Sequence, residues 1–221
     1  NTIILSCLLI PLGLIKFFLP IANMNILFTK FIINIGELWI FTNKIWVKAL
    51  HKPNWEIIGK ENIKSNGWTI ATSNHQSFAD IFLLQDITNM KMPMLKFFMK
   101  YVLIYVPIIG LSWWALDMPF LKRYTKKQLE KNPKLVGKDV KEMKRALKHY
   151  SLYPVTVFSF AEGTRFTVKK HRNQNSPFDN LLKPKEGGLA TALSLVNKID
   201  SLVDFTIKFD SQKRSFWDYL C

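Results

Sequence analysis

Between Thr2 and Leu19 the chain carries one charged side chain, Lys16, and the segment IILSCLLIPLGLI is apolar almost throughout. Such a run has to be covered, by lipid or by the protein's own core, and it restricts the fold more than any other feature. Pro11 interrupts it, whereas a simple helical span requires about 20 apolar residues. A short or kinked span and a re-entrant segment both fit, as do a cleaved signal peptide and a buried core helix. From Ile26 to Leu50, Lys30, Asn34, Glu37, Lys44 and Lys48 recur near three- and four-residue spacing. Phe28, Phe31, Ile32, Ile35, Leu38, Trp39 and Trp46 fill much of the rest. A narrow polar stripe on a mostly apolar helix suits partial immersion in a bilayer, with Trp39 and Trp46 at the headgroup level. A helix packed on the protein's own core carries the same pattern. Residues 1–50 are expected to be a membrane-associated helical segment, and 51–221 a separate domain beginning after the linker HKPNW (51–55).

The chain as a whole is strongly basic, with 31 Lys and Arg against 16 Asp and Glu and a net charge of +15. Such a surface favours anionic partners: nucleic acid, anionic lipid headgroups or a phosphorylated substrate. From Lys91 to Tyr150, fourteen basic residues face four acidic ones, and this stretch is expected to meet anionic lipid. Two cysteines, Cys7 and Cys221, allow no disulfide framework and no four-ligand zinc cluster. Both ends are expected to be incomplete, since the chain starts at Asn1 and stops after FWDYLC.

Beyond residue 50, hydrophobic periodicity alternates. WEIIG (55–59), GWTIATS (67–73), PVTVFSF (154–160) and SLVDFTIKF (201–209) read as strands. IFLLQDI and KDVKEMKRALKHY have helical spacing. The alternation predicts an α/β domain with a mixed central sheet flanked by helices. VKKHRNQNSPFDN (168–180) has the composition of an exposed loop.

Two constellations carry chemistry. In SNHQSFAD (73–80), His75 and Asp80 follow a predicted strand. Residues five apart point about 140° away from each other on a regular helix, so the two meet only if His75 lies in a loop and Asp80 in the first helical turn. Ser73, Asn74 and Ser77 are candidate caps there. In that geometry the carboxylate fixes one imidazole nitrogen and leaves the other as a base that can take a proton from an alcohol. A structural histidine beside a capping acid would look the same in sequence. His51, His149 and His171 lack zinc-ligand spacing, and no metal site is expected. In FAEGTRF (160–166) a strand delivers Glu162, Gly163, Thr164 and Arg165 to its carboxyl end, where open α/β sheets bind ligands. Arg165 can grip phosphate bidentately, although a tight turn with a surface salt bridge has the same composition. Two weaker pieces are MPFLKRY (118–124), with Lys122 and Arg123, and LLKPKEGGLATAL (181–193), whose paired glycines open a small-residue helix.

Taken in order, NHQSFAD (74–80), PFLKR (119–123), FAEGTR (160–165) and KPKEGG (183–188) resemble the glycerolipid acyltransferase family that includes lysophosphatidic acid acyltransferases. The resemblance spans about residues 55–210, and FAEGTRFT looks most like a bacterial inner-membrane subgroup. It implies a glycerol-3-phosphate acyltransferase-like fold and acyl transfer from acyl-coenzyme A or acyl carrier protein to the free hydroxyl of a lysophospholipid. It makes His75 the general base and Asp80 its orienting acid. It places Glu162, Gly163 and Thr164 in the acceptor site, with Arg165 and Arg123 on the acceptor phosphate. No cofactor is implied beyond the acyl donor. Location in the bacterial inner membrane, with the catalytic domain on the cytoplasmic side, is the corresponding expectation. Ala161 replaces the usual proline before the glutamate, Pro119 stands where a small residue is common, and VDFTIKF lacks the usual proline. These departures bear on acceptor and acyl-chain preference.

The residues point the same way by themselves. A thioester is already activated, so attack by an alcohol needs a base and an oxyanion site but no covalent nucleophile, and no G-x-S-x-G motif is present. The competing readings are a non-catalytic basic module binding membrane or nucleic acid, and a thioesterase that passes the acyl group to water. No RNA-recognition, helix-turn-helix or zinc-finger pattern supports nucleic acid.

Overall fold

The structure, a computed structural model, describes residues 1–19, 22–51, 56–63, 66–122, 124, 126–150, 152–195 and 198–209. Helices α1 (Thr2–Phe18) and α2 (Ala22–His51) form an antiparallel hairpin. Its far end is closed by Asn1, whose side-chain amide donates to Thr42 Oγ1 at 2.7 Å, and by Trp39 Nε1, which donates to Thr2 Oγ1 at 3.1 Å. Pro11 lies inside α1.

The hairpin is anchored on the body of the protein. On α1, Lys16 pairs with Asp117, Ser112 Oγ donates to Ser6 Oγ at 2.8 Å, and Gly13 lies so close to Ala115 that an added Cβ would sit 2.6 Å from its methyl. On α2, Ile32 and Ile40 enter the main core, Glu37 accepts from the Asn89 amide, and Lys44 pairs with Asp86. Part of the polar stripe therefore serves docking. Leu27, Phe31, Leu38, Phe41 and Ile45 are left exposed on one side of α2, and Ile4, Leu8, Ile15 and Phe18 on α1. Met24–Ala49 is long and apolar enough to cross a membrane.

The predicted strand at 55–59 does not form in its described part. Glu56 and Ile57 are irregular, Gly59 takes a left-handed φ of +78°, and a short 3-10 turn over Lys60–Asn62 follows. Trp55 and most of the linker lie outside the described residues. From there the elements are β1 (Thr69–Ser73), α3 (Ala79–Thr88), β2 (Leu95–Phe97), β3 (Met99–Lys100), α4 (Ile109–Ala115), β4 (Phe120–Leu121), α5 (Lys126–Lys131) and α6 (Lys138–His149). β5 (Thr156–Phe160), α7 (Val168–Gln174), α8 (Glu186–Leu195) and β6 (Ser201–Phe205) complete them.

The main sheet has order β2-β5-β1-β6, and β3 pairs with β4 in a small second sheet. All of these pairings are parallel, where a mixed sheet was expected. The reason lies in the connections. Neighbouring strands are joined by long helix-bearing crossovers rather than hairpins, and a parallel pair needs such a return. Central strand β1 is accordingly buried on both faces, with Ile70 and Ala71 inaccessible. On one face Ala71, Leu95, Phe97 and Phe158 pack against Leu84 of α3 and Ile32 and Ile40 of α2. On the other, Val155 and Val157 meet Met143 of α6, Ala192 of α8 and the rings of Tyr150 and Tyr153. Each fully buried large side chain contributes about 1.5–3 kcal/mol relative to exposure.

Beside this second layer, fully buried Lys96 donates to the carbonyl of Leu116 at 2.5 Å. Burial pushes its ammonium down to about 8. Asp117, next to that carbonyl, also receives Tyr153 Oη at 3.0 Å, while Tyr150 Oη donates to its backbone oxygen at 2.6 Å. Burial first, and the Asp117 charge second, hold both phenols well above their ordinary range.

Candidate active site

The carboxyl ends of β1 and β5 lie side by side, with Ser73 opposite Phe160, and both chemical motifs leave the sheet there. Ala161 N–H donates to Ser73 O at 3.0 Å, carrying the strand pairing one residue further before the chains diverge. The two loops stay linked, since Phe166 N–H donates to His75 O at 2.7 Å.

His75 sits in the loop and Asp80 in the first turn of α3, and His75 Nδ1 lies 2.9 Å from Asp80 Oδ2. The same oxygen accepts the backbone N–H groups of Gln76 at 2.6 Å and Ser77 at 2.9 Å. Asp80 is wholly buried, and its charge is held by these donors at a helix N-terminus. With the carboxylate accepting, Nδ1 carries the proton and Nε2 presents a lone pair. Nε2 has no hydrogen-bond partner among the described residues. The imidazole stacks flat on Phe160, centroids 3.7 Å apart and planes 11° from parallel, so both its tilt and its tautomer are fixed.

The caps differ from expectation. Ser77 precedes the helix and accepts from Ala79 N–H at 3.1 Å. Asn74 is used elsewhere: its amide accepts Ile207 N–H at 2.7 Å and donates to Ile207 O at 2.8 Å, imitating a backbone ladder beyond the end of β6. Ser73 Oγ donates to Asn74 O at 2.9 Å.

Glu162 is buried, and its two oxygens face backbone donors. Oε1 accepts from His75 N–H and Oε2 from Leu182 N–H, each at 3.0 Å. The glutamate thus ties the histidine loop to the segment leading into α8. Lys185 N–H closes the same circuit on Ala161 O at 2.8 Å. Gly163 holds a left-handed φ of +65°, which favours glycine, while a Cβ there would lie 3.0 Å from Lys185 Cδ, a contact the flexible lysine chain can relieve. Thr164 Oγ1 accepts from Lys170 Nζ at 2.8 Å, and the same ammonium donates to Arg165 O at 2.9 Å. Arg165 is exposed, its guanidinium carbon 3.8 Å from the centre of the Phe78 ring. Arg123 lies outside the described residues.

His75, Asp80, Glu162, Gly163, Thr164 and Arg165 therefore gather at one sheet edge. Lys170, Phe160 and Phe78 join them, and sequence reasoning passed over all three. Lys170 lies in a segment expected to be loop; it is helical because Thr167 Oγ1 caps it, accepting Lys170 N–H at 3.3 Å. Thr167 was a readable N-cap candidate, although Lys170 stands where a capping box would place Glu or Gln. Nothing in the sequence singled out the two phenylalanines. Among the described residues no cluster of three or more metal-ligating side chains occurs.

A parallel sheet that presents an oriented imidazole and a glutamate-braced loop side by side at its carboxyl edge defines an α/β protein with a candidate active site at that edge. The sequence profile of the Acyltransferase family matches residues 54–207, and the chain belongs to that family. It is similar to the human 1-acyl-sn-glycerol-3-phosphate acyltransferase delta, 34% identical over 125 residues, covering 52% of this chain and 30% of that protein. It is similar also to 1-acyl-sn-glycerol-3-phosphate acyltransferase 3 of Arabidopsis thaliana, 28% identical over 198 residues, covering 79% of this chain and 48% of that one. The chain thus spans half or less of the length of these relatives. The 1-acyl-sn-glycerophosphate acyltransferase structure from Thermotoga maritima aligns over 97% of this chain and 91% of that one, at 18% identity and a TM-score of 0.48.

Proposed function

We propose that the protein transfers a fatty acyl group from acyl-coenzyme A or acyl carrier protein to the free hydroxyl of a lysophospholipid, 1-acyl-sn-glycerol-3-phosphate, giving phosphatidic acid. The observation that carries this reading is the 2.9 Å contact between His75 Nδ1 and Asp80 Oδ2, which leaves Nε2 as a base. Nε2 takes the hydroxyl proton as the lipid oxygen attacks the thioester carbonyl. The carbon–sulfur bond then breaks and the departing thiolate recovers the proton from the imidazolium, so the histidine is restored. Arg165, with Arg123 as the second cation, binds the acceptor phosphate, while Glu162, Gly163 and Thr164 shape the loop that delivers Arg165. The names of the human and plant relatives support the acceptor assignment.

The exposed apolar faces of α1 and α2 attach the protein to a membrane in this reading, and the basic surface from Lys91 to Tyr150 faces anionic lipid. The catalytic domain lies on the cytoplasmic side, where acyl donors are made.

The test is to incubate membranes carrying the protein with a panel of lysolipids and labelled acyl-coenzyme A or acyl carrier protein, and to identify the product. Labelled phosphatidic acid formed from lysophosphatidic acid is expected. Thiol release that proceeds equally without lysolipid would identify a thioesterase instead. No turnover of any donor would leave the binding module.

A further inference from the structure

Phe78 lies inside NHQSFAD, immediately before α3, and is 53% exposed. A phenylalanine so open gains little from burial. Its ring instead lies under the Arg165 guanidinium, 3.8 Å from centroid to carbon. The two residues belong to different motifs, one leaving β1 and the other β5, and their contact spans the mouth of the site. Arg165 is fixed at its other end too, because Lys170 Nζ holds its backbone carbonyl at 2.9 Å. Among the described residues no carboxylate pairs with Arg165.

The difference between a ring and a carboxylate is decisive here. A carboxylate partner would neutralise the guanidinium and consume its in-plane donors, the donors that an incoming phosphate needs. An aromatic face holds the cation through its quadrupole from above and leaves those donors and the full charge available. Building on the acceptor-site reading above, we infer that Phe78 is a positioning residue that preloads Arg165 as a fully charged receptor, its in-plane donors left free for the acceptor's phosphate. The contact thereby sets the enzyme's preference for phosphate-bearing over neutral acceptors.

The experiment compares parent, Phe78→Leu, Phe78→Trp, Arg165→Ala and the Phe78→Leu/Arg165→Ala pair in membranes, with lysophosphatidic acid and monoacylglycerol as acceptors. Binding of a short-chain lysophosphatidic acid to the same series on a His75→Ala background is measured by calorimetry. In Phe78→Leu, KM and Kd for lysophosphatidic acid should rise roughly two- to tenfold, the range expected of a cation–π contact, with kcat near the parent's. Phe78→Trp should restore both. Phe78→Leu should add nothing once Arg165 is gone, and handling of monoacylglycerol should not change. A Phe78→Leu variant with unaltered KM and Kd, or one equally impaired with and without Arg165, overturns the proposal alone. Failure of the His75→Ala parent to bind lysophosphatidic acid overturns the acceptor reading and the proposal together.

Discussion

Glu162 and His75 are joined through the histidine's backbone and not its ring: Glu162 Oε1 accepts His75 N–H at 3.0 Å, while Oε2 accepts Leu182 N–H at the same distance. The carboxylate of the second motif therefore sets the position of the histidine in the first. Glu162→Gln offers one acceptor oxygen where two are needed and turns an amide N–H toward a buried donor. The expected cost is about 1–3 kcal/mol of stability, with a fall in kcat, measured by urea unfolding and by turnover of the same preparation.

Removing the imidazole tests the chemistry. His75→Ala should lower kcat by about 10²–10⁴ while the fold survives, because a positioned base supplies that much. Asp80→Asn should lose a comparable factor, since an amide in place of the carboxylate no longer fixes the tautomer that frees Nε2. Circular dichroism and turnover check both variants, and near-full activity in His75→Ala would remove the assignment.

Gly163→Ala must place a Cβ at a φ of +65° and 3.0 Å from Lys185 Cδ. A loss of about 1–2 kcal/mol is expected for the left-handed backbone. Because Arg165 follows two residues later, KM for an anionic acceptor should rise as well. Thermal unfolding and acceptor titration measure the two effects.

Lys96 predicts a pH dependence of stability. Its folded value is depressed to about 8 by burial, opposed by Asp117 and Glu37 and reinforced by Lys16. The unfolded chain, with an ordinary lysine near 10.4, binds the proton more tightly than the folded one. Stability linked to this group is therefore fully present above about pH 10.4 and is lost as the pH falls toward 8. Folding free energy should climb across that window by a few kcal/mol at most. In Lys96→Met the climb should be absent, as tested by urea unfolding at pH 7.5 to 10.

The basic surface predicts salt-sensitive membrane binding. Each lysine or arginine near anionic lipid is expected to contribute about 1 kcal/mol, reduced as added salt shortens the Debye length. Flotation with phosphatidylserine-containing vesicles should exceed that with neutral vesicles and should fall toward it in 1 M salt. Equal flotation on both would leave the apolar helices as the whole attachment.

Much of the site was legible because its residues are local in sequence. His75 and Asp80 are five apart, so loop and helix geometry alone could bring them together, and the sheet-edge position of Glu162 to Arg165 followed from the strand before them. What was hidden depends on tertiary contact. Glu162 reads as a ligand-binding acid until its partners His75 N–H and Leu182 N–H are seen. Lys44 and Glu37 read as part of a polar stripe on a helix partly immersed in a bilayer until Asp86 and Asn89 are found opposite them. The strand expected at 55–59 failed because periodicity does not register a left-handed Gly59. The mixed sheet failed because strand direction depends on how the chain returns, which periodicity does not encode.

Asn74, immediately before the histidine, grips the main chain of Ile207 through both ends of its amide, and Gln76 Nε2 reaches the same carbonyl at 3.3 Å. Residues just past β6 are consequently a splint for the reactive loop, remote in sequence yet mechanically part of it. Trimming the chain at Phe205 would leave His75, Asp80, Glu162 and Arg165 in place and still slacken the histidine loop, so under the proposed function a clipped enzyme should turn over sluggishly.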